Sequence, residues 1–326
     1  MQRRQFCLGA LGAGLMLPHI AAQADETYPR YPVRVIVPYA AGGGPDIMMR
    51  QFGPKLGATL GQSVIVENKV GAGGVLAAQY VAQSPADGYT VLLGSNSHLI
   101  QKALQPNLKF DPINDFVPVT LIGTSPSVLV VAAESPYRTV QDLIAAVKAR
   151  PGKMNYGSGG IGSAAHLGGA TFVSLLGLNA VHVPFKGSVE IPISLLRGDT
   201  DFAFTIAGTA IPQVRSGKLR ALAVTSQVPL DELPGVPPLN DILHNDLTIQ
   251  EFWFGFWLPR KSPATAVDTL YRATTAALKD PSVISMFASI GVHVVRSDSP
   301  QAFAKFVRAE SAKWTQIIKL AGITAD

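Results

Sequence analysis

The stretch Val33 to Asp46, VRVIVPYAAGGGPD, constrains the fold of this chain more than any other. Val33, Val35, Ile36 and Val37 form a β-branched run that stops at Pro38 and opens into Gly42-Gly43-Gly44, with Pro45 and Asp46 behind it. That order reads as strand, glycine loop, helix start. Consecutive glycines permit positive φ and leave no Cβ between the amides and an approaching group. Pro45 suits a first helical turn, where its missing N–H would have had no partner, and Asp46 complements the helix dipole. The stretch is then either a tight turn that binds nothing or a cluster of N–H donors fit for a carboxylate or phosphate.

The arrangement recurs. Ser63 to Glu67 reads as a strand leading into Gly71-Ala72-Gly73-Gly74 and a helix from Val75. Tyr89 to Gly94 is a third strand ending in Ser95-Asn96-Ser97-His98. Later, Met154 to Tyr156 feeds Gly157-Ser158-Gly159-Gly160-Ile161-Gly162-Ser163 and a helix from Ala164, and Ala180 to Pro184 ends in Phe185-Lys186-Gly187. Strands alternating with helical periodicity indicate an α/β protein, and parallel sheets of this kind bind ligands beyond the carboxyl ends of their strands.

The opening MQRRQFCLGALGAGLMLPHIAAQA carries Arg3-Arg4, an apolar stretch and a small-residue cleavage site at Ala22-Gln23-Ala24, which predicts a signal peptide over residues 1–24, of twin-arginine type, and a periplasmic product. Cleavage there takes Arg3 and Arg4 from the 27 basic residues and none of the 22 acidic ones, leaving 25 against 22. That balance argues against nucleic acid as a partner. It also removes Cys7, the single cysteine, and with it disulfide and thiol chemistry.

Roughly 300 residues exceed one ordinary core, so two lobes are expected. The turn-prone Gly123 to Pro126 marks the crossing between them. The expected division is 25–123 with 227–326 as lobe 1 and 124–226 as lobe 2. Pro229 to Pro238 reads as a surface connection, Trp253 and Trp257 as core, and the helices that follow as the completion of lobe 1.

Catalytic patterns fail one by one. Gly157 to Gly162 fits G-x-G-x-x-G, but the next strand ends His182-Val-Pro-Phe-Lys186 with no acid to hold a ribose. Ser158 and Ser163 follow Tyr156 and Ile161 at the position where a nucleophile elbow needs glycine. The histidines after residue 24 (98, 166, 182, 244 and 293) stand apart with no metal spacing, and His166 reads either as an ordinary helix-start histidine or as one that stiffens its loop by hydrogen bonding. No cofactor is expected. Two glycine loops on helix starts, one per lobe, suit a small anion with acid groups at both ends, bound without reaction.

YPRYPVRVIVPYAAGGGPD resembles the start of the Bug family, the periplasmic solute receptors of tripartite tricarboxylate transporters. VIVENKVGAGGVLAAQYVAQSPADGYTVL, NYGSGGIGSAAHLGG, VHVPFKGSVEIPISLLRGDTDFAF and GKLRALAVTS extend the likeness in family order. The resemblance implies a type II periplasmic binding protein fold, two α/β lobes with mixed sheets joined by crossing strands. It further implies a monomer that binds a small carboxylate and delivers it to inner-membrane permease subunits. By position it implies ligand contacts from Tyr39, Ala41, Gly42, Gly43, Gly44 and Asp46 in the first loop. Ser158, Gly159, Gly162 and Ser163 follow in the second, with Ser95, Lys186, Gly187 and Asp201 lining the cleft. An exported enzyme acting on a carboxylated substrate, and a receptor feeding a sensor kinase, share the same cleft chemistry. Two departures stand out: Pro45 occupies a place the family usually gives to Thr or Ser, and Pro237 to Gln250 lacks the family pattern.

Overall fold

The computed structural model describes residues 28–105, 107–185 and 187–323. The expected signal peptide and Lys186 lie outside the described residues. The first lobe opens with β1 (Val33–Val37), α1 (Gly44–Leu60), β2 (Val64–Asn68), α2 (Val75–Ala82), β3 (Thr90–Ser95) and α3 (Asn96–Leu104). β4 (Phe116–Ala132) then leads to α4 (Val140–Ala149), β5 (Asn155–Ser158), α5 (Ala164–Leu175), β6 (Val181–Pro184) and α6 (Glu190–Arg197). β7 (Phe202–Ile206), α7 (Ala207–Arg215), β8 (Leu219–Val224) and α8 (Leu239–Leu243) follow, then β9 (Glu251–Pro259), α9 (Ala264–Ala277), α10 (Pro281–Ser289) and α11 (Pro300–Ala321).

The strands form one sheet in the order β2-β1-β3-β9-β4-β7-β5-β6, with β8 also pairing β4. β1 runs parallel to β2 and β3, and β5 parallel to β6 and β7, while β9 is antiparallel to its neighbours. The carboxyl ends of β1, β2 and β3 therefore share one edge, and those of β5, β6 and β7 share another. β4 belongs to both halves. From Phe116 to Pro126 it pairs with β9, and from Ser127 onward with β7 and β8. The Gly123–Pro126 turn read from the sequence is thus a continuous strand; register shifts at Pro118/Thr120 and Leu121/Gly123 bend it instead of breaking it.

Period-two alternation sorts the strands between two apolar layers. Val33, Val35 and Val37 pack with Phe52, Phe254 and Phe256 on one face, whereas Ile36 joins Trp253, Trp257 and Phe303 on the other. In the second lobe Leu129, Tyr156, Phe202 and Phe204 face one way and Val128, Val130 and Ala203 the other. Trp253 and Trp257 are core, as their alternation implied. Glu310 of α11, itself buried, accepts from both Trp253 Nε1 (2.8 Å) and Trp314 Nε1 (2.9 Å).

Two domain expectations are corrected. Leu230, Leu233 and Val236 pack on the apolar layer of Val128 and Ala203, and Leu239, Ile242 and Leu243 on that of Phe202. Residues 227–249 thus pack on the second lobe, because the proline-rich segment carries buried leucines that its composition concealed. Gln250 marks the return crossing: its N–H donates to Thr225 O at 3.0 Å, and the Thr225 hydroxyl donates to Gln250 O at 2.5 Å. α11 does not stay with the first lobe either. Phe303 and Val307 lie in its core, but Trp314, Ile317 and Ile318 join Ile100 of α3 and Leu167 of α5.

Gly255 lets β9 pass beneath α11. A Cβ there would collide with the Phe303 ring and lie 2.9 Å from Thr120 O. Gly255→Val is expected to lower the free energy of unfolding by about 1–3 kcal/mol or more, measured by urea titration.

Candidate functional site

The first glycine loop joins β1 to α1. Gly42 takes φ +79°, and the Gly43 N–H donates to Ala40 O at 3.1 Å, closing the turn before α1 begins. Asp46 is 2% exposed and faces back into this turn. Its Oδ2 accepts from the Gly42 N–H (2.8 Å), its Oδ1 from Asn68 Nδ2 (2.8 Å), and Arg50 Nε reaches both oxygens at 3.0 Å. Burial alone would raise this carboxyl's pKa, but the bonds from Arg50, Gly42 and Asn68 outweigh it and bring the group below the usual carboxylate range. Asp46 therefore fixes the loop from behind. The Gly44 and Asp46 N–H groups, in the first turn, have no intrahelical acceptor.

Tyr39 and Ser95 are brought together. The Tyr39 hydroxyl and Ser95 Oγ share a hydrogen bond of 2.7 Å, and Ser95 Oγ also accepts from the Ser97 N–H at 3.2 Å as the N-cap of α3. The segment Ser95 to His98, read from the sequence as a loop, is thus the start of a helix. Its cue was present: Ser95 is a capping residue, and its N–H donates to His98 Nδ1 at 3.3 Å.

In the second loop, Ser158 is fully buried and Ser163 caps α5. Ser158 Oγ accepts from the Gly160 N–H (3.1 Å) and pairs with His182 Nε2 (2.7 Å). Ser163 Oγ accepts from the His166 N–H at 3.3 Å, while His166 Nδ1 accepts from the Gly162 N–H at 3.1 Å. His166 thus stiffens the loop, where the sequence reading favours an ordinary helix-start histidine. Its ring stacks on His182 (centroids 4.0 Å apart, 8° between planes), and His182 stacks on Tyr156. Gly159 abuts Gly187: a Cβ on Gly159 would lie 3.3 Å from Gly187 C. Ala164 and Ala165 present first-turn N–H groups without intrahelical partners.

Contacts at α3 bridge the two loops. Its first residues adjoin Tyr39, while a Cβ on Gly162 would lie 3.1 Å from Leu104 Cδ1 and 3.4 Å from Gln101 Nε2. Six to nine residues, about 9–14 Å of helix, separate Ser95 from Gln101 and Leu104 along α3. Phe252 adds a wall that sequence reasoning missed. β3 ends at Ser95, opposite Phe254, so Phe252 lies beyond the carboxyl edge on the same face of β9, edge-on to Tyr39 at 6.3 Å. The signal for it was available in the alternation of Phe252, Phe254 and Phe256 against the tryptophans.

Asp201 is a correction. It stands at the amino end of β7, and its Oδ2 accepts from the Asn155 N–H at 2.7 Å at the start of β5. Asp201 anchors a strand start, at the opposite end of these strands from the second glycine loop. Among the described residues no group of three or more His, Cys, Asp or Glu could hold a metal ion, and no helix is long and apolar enough to cross a membrane.

The profile of the tripartite tricarboxylate transporter family receptor, TctC, matches residues 48–323. The chain belongs to that family. The receptor is similar to protein BugT of Bordetella pertussis, with 32% identity over 318 residues covering 97% of both chains. It also resembles two solved proteins of Rhodopseudomonas palustris. Rpa4515 with adipate has a TM-score of 0.80 and 31% identity, over 91% of this chain and 99% of that one. MatC with bound malate has a TM-score of 0.77 and 29% identity, over 89% of this chain and 100% of that one. These likenesses establish the two-lobe periplasmic binding protein fold and a receptor that binds solute.

Burial, then the neighbouring His182, pushes the pKa of His166 down to about 4, and burial pushes that of His98 down to about 3. The unfolded chain therefore takes up these protons first as pH falls. Their contribution to stability is complete above about pH 6.5 and is lost toward pH 4. The melting temperature should fall over that window, and less so in His166→Gln. Asp201→Ala is expected to cost about 1–2 kcal/mol in chemical unfolding without altering affinity for solute.

Proposed function

We propose that this receptor captures a small organic carboxylate between its lobes, without catalysis, and delivers it from the periplasm to inner-membrane permease subunits as a monomer. One observation carries the reading. The side chains of Asp46, Ser95 and Ser158 are tied into the protein, while first-turn amides at Gly44, Asp46, Ala164 and Ala165 are left without helical acceptors on loops that α3 connects. Backbone donors at helix starts favour anions. Two such sets of donors suit a molecule with an acid group at one or both ends. Relatives solved with adipate and with malate support the ligand class.

The lobes meet through β4 and the crossing at Gln250, so closure on solute amounts to bending at those strands. Contacts that exist only when both loops grip the solute favour the closed form. The Ser158–His182 pair does not support an enzyme, because Ser158 is fully buried beneath its loop. Export through the leader at residues 1–24 accords with the family's location.

A thermal-shift screen against organic acids tests the proposal. A solute at 100 times its Kd should add about 2.7 kcal/mol of stability. A Cβ on Gly43 would lie 3.1 Å from Ala40 O in the turn that shapes the first loop. Gly43→Val is expected to abolish that shift while the protein remains folded by circular dichroism. NMR of each acid after incubation should show no new species; turnover would replace the receptor reading with an enzymatic one.

A further inference from the structure

Helix α10 and the chain on either side of it enclose a groove of about 380 Å³ on the first lobe, and none of its lining residues belongs to a glycine loop. Ile284 of α10, 46% exposed, and Val292 and Val294 beyond it form apolar walls. The polar side chains that line it are all basic: Lys279, His293 and Arg296. Among the described residues neither Lys279 nor Arg296 has an ion-pair partner. The neighbouring acid is engaged elsewhere: Asp280 Oδ2 accepts from Lys55 Nζ at 2.8 Å, and its Oδ1 from the Ser282 N–H and hydroxyl. Two cations thus stand uncompensated beside an open apolar surface. The groove also lies against the hinge. Thr124 and His293 exchange backbone hydrogen bonds of 2.9 and 2.8 Å, and Ser125 Oγ donates to Gly291 O at 2.7 Å, so the wall at Val292 and His293 is fastened to β4 where the lobes cross. His293 Nε2 is buried 4.0 Å from Glu232 Oε2 on the second lobe, and neither atom has a hydrogen-bond partner.

We propose that this groove is a second binding site, separate from the glycine loops, for a small organic anion with an apolar body. Pockets that hold small molecules have volumes of about 300–1,000 Å³, mostly apolar walls and a few polar groups that fix orientation. The groove meets each condition. Its walls take the body out of water, while Arg296 offers the paired N–H donors that match a carboxylate or sulfonate and Lys279 adds a compact positive charge. A neutral amphiphile gains only the first of these terms, and a cationic one is repelled by the same two residues.

Methyl-resolved NMR of the labelled protein decides the matter, with octanoate and naphthalene-1-sulfonate as anionic probes and octanol and octylammonium as controls. At least one anion should shift the Ile284, Val292 and Val294 methyl signals saturably, while both controls bind several-fold more weakly. The double substitution Lys279→Gln with Arg296→Gln, on exposed side chains, should leave thermal unfolding unchanged and weaken the anion by about threefold to tenfold. Gly43→Val should leave the same shifts intact, because the first glycine loop takes no part in this site. Silence at those three methyl groups from both anions overturns the proposal. So does octanol binding as tightly as octanoate, an unchanged affinity in the double variant, or loss of the shifts in Gly43→Val. None of these outcomes bears on the carboxylate reading of the glycine loops, which the thermal-shift screen tests by itself.

Discussion

The first N–H groups of a helix cannot find partners within it, and the recognition surface proposed for this receptor depends on that rule. α1, α3 and α5 each start just past the carboxyl end of a strand. What distinguishes their first turns from ordinary capped helix starts is the treatment of the neighbouring side chains. Asp46 turns back to hold Gly42, Ser95 bonds Tyr39, and Ser158 sits beneath its loop against His182. Each polar side chain shapes the backbone, and in the proposed site it is the backbone that meets the solute.

That division of labour explains what the sequence revealed and what it hid. The strand, glycine and helix order placed both loops correctly, since β-branched runs, Gly42 and Gly162 in positive φ, and Pro45 all act locally. The family likeness pointed to the right fold. The roles of Asp46 and Asp201 were harder to see, because a carboxylate in a ligand loop and one that ties a loop or strand look alike in one dimension. Only the approach of Asn68, 22 residues away, and of Asn155, 46 residues away, separates the two cases. Residues 227–249 were misplaced for a related reason: the prolines announce a surface path, whereas Leu230, Leu233 and Leu239 are drawn onto a core that composition does not disclose.

The lobes are coupled by more than their crossing strands. β4 is shared along its length, and α11 reaches from Phe303 in the first lobe to Trp314 and Ile317 beside Leu167 of the second. On another side, the turn at Ile290 and Gly291 comes so close to Gly208 that neither glycine has room for a side chain. Movement between the lobes is thus restricted to modes that keep these contacts packed, which favours bending at the hinge over sliding.

Glu310 gives this coupling an optical side. Its carboxylate joins the indole of Trp253, next to Phe252 on β9, to that of Trp314 far along α11. Two of the chain's three tryptophans thus share one side-chain partner at the junction where the proposed closure would bend the molecule. A shift of β9 there would change the surroundings of both indoles, so the protein's own ultraviolet emission should report the proposed closure without an added dye.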